Sequence, residues 1–369
     1  MGIYETLGLR PVINASATLT KLGGSILAPP ALAAMADAAG SYVDLSELQR
    51  VVSERIAALT HNEACYVSSG AAAGIMLSIA ACIAETDPER MDAFPYLDGI
   101  GKREVIIHRS QRNGYDYAAR QTGARLVEID GHSDALDGVI SDATACVLWF
   151  AGAHFADGAL PIEDVIEISH ARGVPVIVDA AAQVPPIASL WHFTRDLGAD
   201  AAIFSGGKGL RGPQSSGLVL GTHVIIAGCR ANGAPNYGIG RPMKVGKEEL
   251  VGLLAAVEWS LAQDEPTMLA RYEAIVQGWL TGLRNIPGIT VERGYPSEAG
   301  QPHARAIVRI APPCPLSRDA VIDALWERNP RIAVAPINTD AIALNPQPLL
   351  DGENEMVLEA VRDVVMDVG

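Results

Sequence analysis

Basic residues, aromatic side chains and long apolar runs are all scarce in this chain of 369 residues. Lys and Arg total 28 against 43 Asp and Glu, and the net charge of −15 argues against a nucleic-acid or anionic-membrane surface, because both need a basic field. No apolar run is long enough to span a membrane, and the first residues lack the basic and apolar regions of a signal peptide. We therefore expect a cytoplasmic protein without nucleic-acid or membrane partners.

Cysteine pairs and metal-ligand spacings are also missing. The five cysteines are scattered, odd in number and without Cys-x-x-Cys spacing, which argues against a disulfide scaffold and a zinc site. We expect reduced, buried thiols and no metal site. Neither metal-ligand nor Ser-His-Asp spacing is found.

The sequence does contain ample apolar material, arranged as a β/α alternation. At 49% hydrophobic residues the chain is large enough for two cores. Seven short apolar runs alternate with helical segments, as strands buried on both faces do. The runs are Ala64–Ser68, Val105–His108, Arg125–Ile129, Ala145–Phe150, Pro175–Val178, Ala201–Phe204 and Gly217–Leu220. They predict an α/β fold with a mainly parallel seven-stranded sheet covered by helices.

The pattern changes near residue 245, where strands and helices begin to mix in one block. Helices are predicted at Lys247–Gln263, Met268–Asn285, Ser317–Arg328 and Glu353–Asp367, and strands at Ile289–Arg293, Ala304–Ile310 and Ile332–Ile337. We expect an N-terminal arm (1–45), a large domain (46–245) and a smaller α+β C-terminal domain (246–369). The arm has little strand pattern and is expected to pack on a neighbour or on the small domain.

Small residues open the helix that follows the first strand. Ser69, Gly70 and Ala71 leave backbone N–H groups open at a helix N-terminus, where the helix dipole favours an anion such as phosphate. The alternative is a helix start chosen only for close packing.

An acid ends one buried strand, and a lysine follows the next. Asp179 closes the run 175–178, at the strand end where ligands of open α/β sheets gather; the alternative is a helix cap. Lys208 lies in a glycine-rich turn after the run 201–204 and is one of five lysines in the chain. Its amine would be a nucleophile if desolvated, with a surface loop lysine as the alternative. Ser205 is placed to add a hydrogen bond to phosphate.

Taken in chain order, a phosphate site, a strand-end carboxylate and a strand-following lysine match the pyridoxal 5′-phosphate (PLP) enzymes of fold type I, the aspartate-aminotransferase-like fold. Lys208 would hold PLP as a Schiff base, and Asp179 would pair with the protonated pyridine nitrogen. Gln183 would bond the phenolic oxygen. His108, at a strand end, would stack on the ring, or else be an ordinary buried histidine.

Six segments also carry a family resemblance. They are Asn14–Thr20, Gly23–Ser25, Ser69–Gly74, Asp179–Gln183, Ser205–Gln214 and Gly240–Glu249. They resemble the bacterial L-seryl-tRNA(Sec) selenium transferase superfamily and, within it, the shorter D-glucosaminate-6-phosphate ammonia-lyase-like proteins. The resemblance covers residues 8 to 265 and continues more weakly to the end.

The resemblance implies that Ser69, Gly70, Ala71 and Ser205 surround the phosphate of PLP. It also implies an active site shared across a homodimer or higher oligomer, so that Arg241 or Lys244 would reach a neighbour's cofactor unless both lie in a plain surface loop. The chain begins almost at the catalytic core, without the tRNA-binding domain of the selenium transferases. We therefore do not expect tRNA selenation.

The expected reaction is an α,β-elimination that converts a hydroxy amino acid or 2-amino sugar acid, phosphorylated or not, to a 2-keto acid and ammonia. Racemisation, retro-aldol cleavage and β-replacement stay open as alternatives, as does a PLP-binding protein without activity. The substrate carboxylate requires a fork of donors, which arginine supplies best. Candidates by position are Arg109, Arg112, Arg211, Arg241 and Arg305.

Overall fold

The computed structural model describes residues 2–366, which divide into two compact units. The large unit is Leu27–Gln263, and the small unit joins described residues of the ranges 1–26 and 264–369. Residues 1 and 367–369 lie outside the described residues, as does the last residue of the predicted helix Glu353–Asp367.

Strands and helices alternate along most of the chain. The strands are β1 (Val12–Asn14), β2 (Ala64–Ser68), β3 (Glu104–His108), β4 (Arg125–Ile129), β5 (Thr144–Phe150), β6 (Val176–Asp179), β7 (Ala201–Ser205), β8 (Gly217–Gly221), β9 (Ile289–Gly294), β10 (Arg305–Ile310), β11 (Arg331–Ala333), β12 (Ala335–Ile337) and β13 (Ala341–Leu344). The α-helices are α1 (Ile3–Thr6), α2 (Pro29–Ala39), α3 (Leu45–Leu59), α4 (Ala71–Ala84), α5 (Pro88–Asp92), α6 (Tyr117–Arg120), α7 (Ser133–Val139), α8 (Ala153–Ala156), α9 (Ile162–Ala171), α10 (Ser189–Trp191), α11 (His223–Asn232), α12 (Lys247–Leu261), α13 (Glu265–Leu283), α14 (Arg318–Glu327) and α15 (Glu353–Met366).

The large unit contains a seven-stranded sheet in the order β2-β8-β7-β6-β5-β3-β4. Strands β3 to β7 pair in parallel, and β8 runs antiparallel to both of its neighbours. The predicted mainly parallel seven-stranded sheet is therefore confirmed. Its carboxyl edge is where β2, β6 and β7 end and where β8 begins.

Each face of this sheet has its own apolar core, because successive side chains of a strand point to opposite faces. On one face Ile106 and Val178 pack with residues of α3, α7 and α9. On the other face Ile107 and Ile177 pack with α4 and α11. Helix α4 is almost entirely buried from Ala73 to Ala84. The strands are apolar on both sides for this reason.

The small unit is built around a second, antiparallel sheet in the order β12-β13-β10-β9. Its core includes the fully buried Trp279 of α13. Strand β1 of the N-terminal segment pairs in parallel with β11. The N-terminal segment therefore supplies a strand, although its sequence showed little strand pattern.

Helix α12 belongs to the large unit, whereas the sequence-based ranges assigned its residues to the small domain. It packs against α2 and α3. The approach to α2 is close, since a Cβ built on Gly252 would lie 2.6 Å from Cγ of Met35. No helix among residues 2–366 combines the length and the apolar character needed to cross a bilayer.

Candidate active site

The strand register aligns several predicted site residues at the carboxyl edge of the large sheet. Gly217, the first residue of β8, is paired with Ser68 on one side and Ser205 on the other. Asp179 is paired with Ile203, two residues before Ser205 on the adjacent strand. Neighbouring strands lie about 4.8 Å apart. The ends of β2, β7 and β6 therefore form one short row.

Gly217 of β8 packs against the N-terminus of α4 so closely that only glycine fits at that position, whereas a Cβ built on Gly70, the N-cap of α4, would meet open space. A Cβ built on Gly217 would lie 2.6 Å from the carbonyl carbon of Gly70 and 2.9 Å from the nitrogen of Ala71. Gly70 is the N-cap residue, at φ +137°, and has no side chain that could accept a hydrogen bond from the N–H groups of the first turn. Ser68 Oγ donates to the carbonyl of Gly70 over 2.9 Å. This arrangement fits the phosphate of PLP.

Asp179 is buried at the end of β6. Its Oδ1 accepts a hydrogen bond of 3.0 Å from the N–H of Ala181. Burial raises the pKa of the Asp179 carboxyl, while the Ala181 bond and the positive charge of Lys208 lower it. A buried carboxylate of this kind is stabilised by a cationic partner, and the protonated ring nitrogen of PLP meets that requirement.

The loop that carries Lys208 packs directly on the turn after β6. A Cβ built on Gly209 would lie 2.0 Å from the carbonyl oxygen of Val184, so only glycine permits this approach. The carbonyl of Lys208 accepts from the N–H of Arg211 over 3.0 Å. Lys208 itself is half-buried. The Lys208 loop therefore contacts the segment that contains Gln183. The Nε2 of Gln183 donates to the carbonyl of Ala151 over 3.4 Å.

His108 lies apart from this row. Its strand, β3, is separated from β6 by β5, a distance of about 10 Å. The alternation along β3 places His108 on the face of Ile106, whereas Asp179 lies on the face of Ile177. The imidazole is fully buried, and its Nε2 accepts from the N–H of Leu160 over 3.3 Å. Its Nδ1 is buried and has no hydrogen-bond partner among the described residues. Stacking on the ring stays a prediction.

The candidate substrate arginines occupy separate places. Arg109 is exposed and pairs with Glu128 and Asp130; it lines a cleft of about 520 Å³ with Ser110, Asp130, Gly131, His132 and Gly158. Arg112 pairs with the buried Asp116 over 2.6 Å.

Arg211, at φ +56°, lies in the loop of Lys208, with its guanidinium 5.3 Å from the ring centre of Trp259. The exposed Arg241 lies over Tyr237, and Lys244 is exposed in the same segment. In the small unit, the largely buried Arg305 pairs with Glu298 over 3.0 Å. Of the five arginines, only Arg211 shares a loop with a predicted catalytic residue.

One buried side chain near the site was missed by the sequence analysis. Gln111 is fully buried and bonds both backbone groups of Phe150, whose strand neighbour is Asp179. A lone glutamine three residues after a strand resembles an ordinary loop residue. The sequence therefore carried no signal for it.

The chain is similar over its whole length to several enzymes. It is 32% identical to a D-glucosaminate-6-phosphate ammonia-lyase of Salmonella typhimurium, over 98% of this chain and 97% of that one. It is 30% identical to a 5′-C-glycyluridine monooxygenase-decarboxylase of a Streptomyces species, over 99% and 92%. An L-seryl-tRNA(Sec) selenium transferase of Solidesulfovibrio magneticus is 27% identical, over 94% and 80%. No protein-family model matches.

Solved structures agree with these similarities. A structure of D-glucosaminate-6-phosphate ammonia-lyase has a TM-score of 0.86 and 30% identity, covering 99% of this chain and 98% of that one. A serine palmitoyltransferase structure with PLP has a TM-score of 0.62 at 13% identity, covering 96% and 86%, and shares the fold. The predicted resemblance, the PLP fold type I and the PLP cofactor are confirmed.

Proposed function

The chain belongs to the PLP-dependent enzyme family that includes D-glucosaminate-6-phosphate ammonia-lyase, and we propose that it removes ammonia from a hydroxy amino acid or 2-amino sugar acid to give a 2-keto acid. The observation that carries this proposal is the full-length similarity to the lyase in both sequence and structure. A 6-phosphorylated 2-amino sugar acid is the first substrate to test.

The net reaction balances without an added oxidant or reductant. The Cα–H bond and the β-carbon–hydroxyl bond of the substrate break and water leaves. Hydrolysis of the resulting enamine then consumes one water and releases ammonia and the 2-keto acid. PLP, when bound, supplies the electron sink that makes the Cα proton acidic.

Lys208 and Asp179 have the two catalytic roles in this proposal. The Lys208 amine would hold the cofactor covalently and, when freed by a substrate, would take the Cα proton as a general base. Its half-buried position limits hydration of the amine. The Asp179 carboxylate would hold a proton on the ring nitrogen of the cofactor, and burial would strengthen the attraction between the two charges.

The remaining cofactor contacts follow from the row of strand ends. Ser69, Gly70 and Ala71 at the start of α4 would hold the phosphate, together with Ser205 at the end of β7. Gln183 would bond the phenolic oxygen of PLP. His108 would stack on the ring only from a different strand and a different sheet face than those of Asp179.

For the substrate anions we propose Arg211 first, because it lies three residues from Lys208 in the same loop. Arg109, Arg241 and Arg305 are the other candidates for the carboxylate or a phosphate. Each of these three has an ion pair or an aromatic contact within its own unit, as Arg211 has with Trp259.

A second candidate function comes from the 30% identity to a monooxygenase-decarboxylase. That reaction class consumes oxygen and releases carbon dioxide, whereas the elimination does neither. Since both relatives match nearly the whole chain, product analysis has to decide between them.

The deciding experiment incubates the purified, PLP-loaded protein with D-glucosaminate-6-phosphate and, separately, with 5′-C-glycyluridine. Ammonia and a 2-keto acid formed in equal amounts without oxygen uptake would support the lyase. Oxygen uptake with release of carbon dioxide would identify the alternative. An aldehyde or only the mirror-image amino acid as product would refute both and indicate retro-aldol cleavage or racemisation.

We also propose a homodimer in the cytoplasm. Closed two-fold dimers are the commonest assemblies of soluble enzymes, and the protein exposes apolar side chains such as Tyr42 and Val43 in the large unit and Ile3, Tyr4 and Leu7 in the small one. Light scattering coupled to size-exclusion chromatography would give the mass. A mass of one chain, 38.8 kDa, would refute the dimer.

A further inference from the structure

The last residues of β5 have a strand partner on one side only. Pairing between β3 and β5 ends at Ile106 and Val147. On the other side, the N–H groups of Val147 and Ala151 both donate to the β6 segment. Because the backbone groups of successive residues point alternately to the two sides of a strand, the N–H and C=O of Phe150 point towards β3.

The side chain of Gln111 takes the place of the missing strand. Its Oε1 accepts from the N–H of Phe150 over 3.0 Å, and its Nε2 donates to the carbonyl of the same residue over 3.1 Å. The primary amide therefore supplies to Phe150 the acceptor and the donor that a neighbouring strand would otherwise provide. Nε2 also lies 3.4 Å from the carbonyl of Phe155. All three bonds involve a side chain that is fully buried.

His108 holds the far end of the same connection. Its Nε2 accepts from the N–H of Leu160, just before α9. Gln111 therefore fixes the segment 150–160 at Phe150 and Phe155, and His108 fixes it at Leu160. This segment carries the backbone contact to the active site.

Ala151 connects this clamp to the candidate catalytic residues. Its N–H donates to the carbonyl of Asp179 over 2.9 Å, and its carbonyl accepts from Nε2 of Gln183 over 3.4 Å. A shift of Phe150 would displace Ala151, and with it the acceptor of Gln183 and the donor to Asp179.

We propose that Gln111 is a positioning residue that sets the end of β5 and, through Ala151, the placement of Asp179 and Gln183 towards the cofactor. The inference rests on the proposed function only for the role of Asp179. It predicts that a replacement of Gln111 weakens cofactor binding, whereas an equally destabilising replacement elsewhere in the fold does not.

The test compares Gln111→Met, which removes both bonds to Phe150, with Gln111→Glu, which keeps the acceptor and removes the donor. The matched control is Asn232→Leu. Asn232 is a fully buried amide whose Nδ2 donates to two carbonyls, of Gly228 over 3.0 Å and of Glu85 over 3.4 Å, and it lies on α11, away from β5 and β6.

We expect all three variants to unfold at lower temperature than the wild type. Only the Gln111 variants should bind PLP more weakly, by about tenfold or more since small misplacements are costly at such sites, with an altered absorbance spectrum of the bound cofactor. Hydrogen exchange measured by mass spectrometry should speed up at 150–155 and 179–183 in these variants and stay unchanged there in Asn232→Leu.

Equal PLP affinities and equal exchange at 179–183 in Gln111→Met and Asn232→Leu would overturn the proposal and leave Gln111 a purely structural residue. If Gln111→Met does not fold, Gln111→Glu gives the same comparison. Neither readout uses a substrate, so a failed ammonia assay would refute the proposed reaction without affecting this result.

Discussion

The buried His108 should make the stability of the protein depend on pH in a defined window. Burial lowers the pKa of this histidine to about 4, from an ordinary value near 6.5. The folded protein therefore resists protonation at pH values where the unfolded chain accepts a proton. Stability should be lost as the pH falls from about 6.5 to about 4, and the loss should level off below that.

The magnitude follows from the size of the shift. One pKa unit corresponds to about 1.4 kcal/mol, so a group shifted this far would contribute at most about 3 kcal/mol between pH 7 and pH 4. Protonation of Nε2 would also break the bond from the N–H of Leu160. The replacement His108→Gln retains an acceptor near the same position and does not titrate.

We would measure urea unfolding by tryptophan fluorescence from pH 4 to pH 8 in the wild type and in His108→Gln. The free energy of unfolding of the wild type should fall further than that of the variant, by about 2–3 kcal/mol at pH 4. A replacement of the exposed His132 controls for the loss of a histidine as such. Parallel curves for wild type and His108→Gln, or a difference that opens only above pH 7, would refute the reasoning.

Three further predictions concern the site and its loops. Lys208→Ala should show no phosphopyridoxyl adduct after borohydride reduction and peptide mass spectrometry, and should lower kcat by ~10²-fold or more. In Asp179→Asn, activity should fall while the melting temperature of the PLP-free protein stays equal or rises, because the amide avoids burying a charge; a large drop in melting temperature would contradict this. Gly209→Ala should destabilise the protein and weaken PLP binding because of the clash with Val184. Its control, Gly278→Ala within α13, meets open space and should stabilise by about 0.5–1 kcal/mol in thermal unfolding.

The large sheet could be predicted from sequence because burial on both faces leaves an unambiguous pattern. The predicted strands Ala64–Ser68 and Arg125–Ile129 match the structure residue for residue, and the other strands of the large sheet differ by one residue at one or both ends. The fold type followed from the order of the motifs along the chain. None of these inferences required knowledge of which strands are neighbours.

Pairings between distant segments were not accessible in this way. Strand β1 has three residues and gains its structure from β11, so its own sequence is too short to show a pattern. Strand β13, Ala341–Leu344, was not predicted although it is fully buried between β10 and β12. A run of four apolar residues in a loop-rich region does not distinguish a strand from a turn.

For the site, the motifs indicated candidate residues but not the sheet face on which each side chain lies. The strand-end position of Asp179 and the glycine loop of Lys208 were both visible as motifs. The position of His108 on the opposite face depends on the register of a whole strand. The role of Gln111 depends on where β3 and β5 cease to pair. Both are properties of the assembled sheet.

The pairing of β1 with β11 also has a consequence for the order in which the protein is made. Val12–Asn14 leave the ribosome early, but their partner Arg331–Ala333 is synthesised about 300 residues later. At about 5–20 residues per second this is a delay of roughly 15–60 seconds. The large unit, Leu27–Gln263, is continuous and is complete well before that time. Strand β1 therefore has no partner while the seven-stranded sheet is synthesised, and it is one of the last elements of the molecule to be paired.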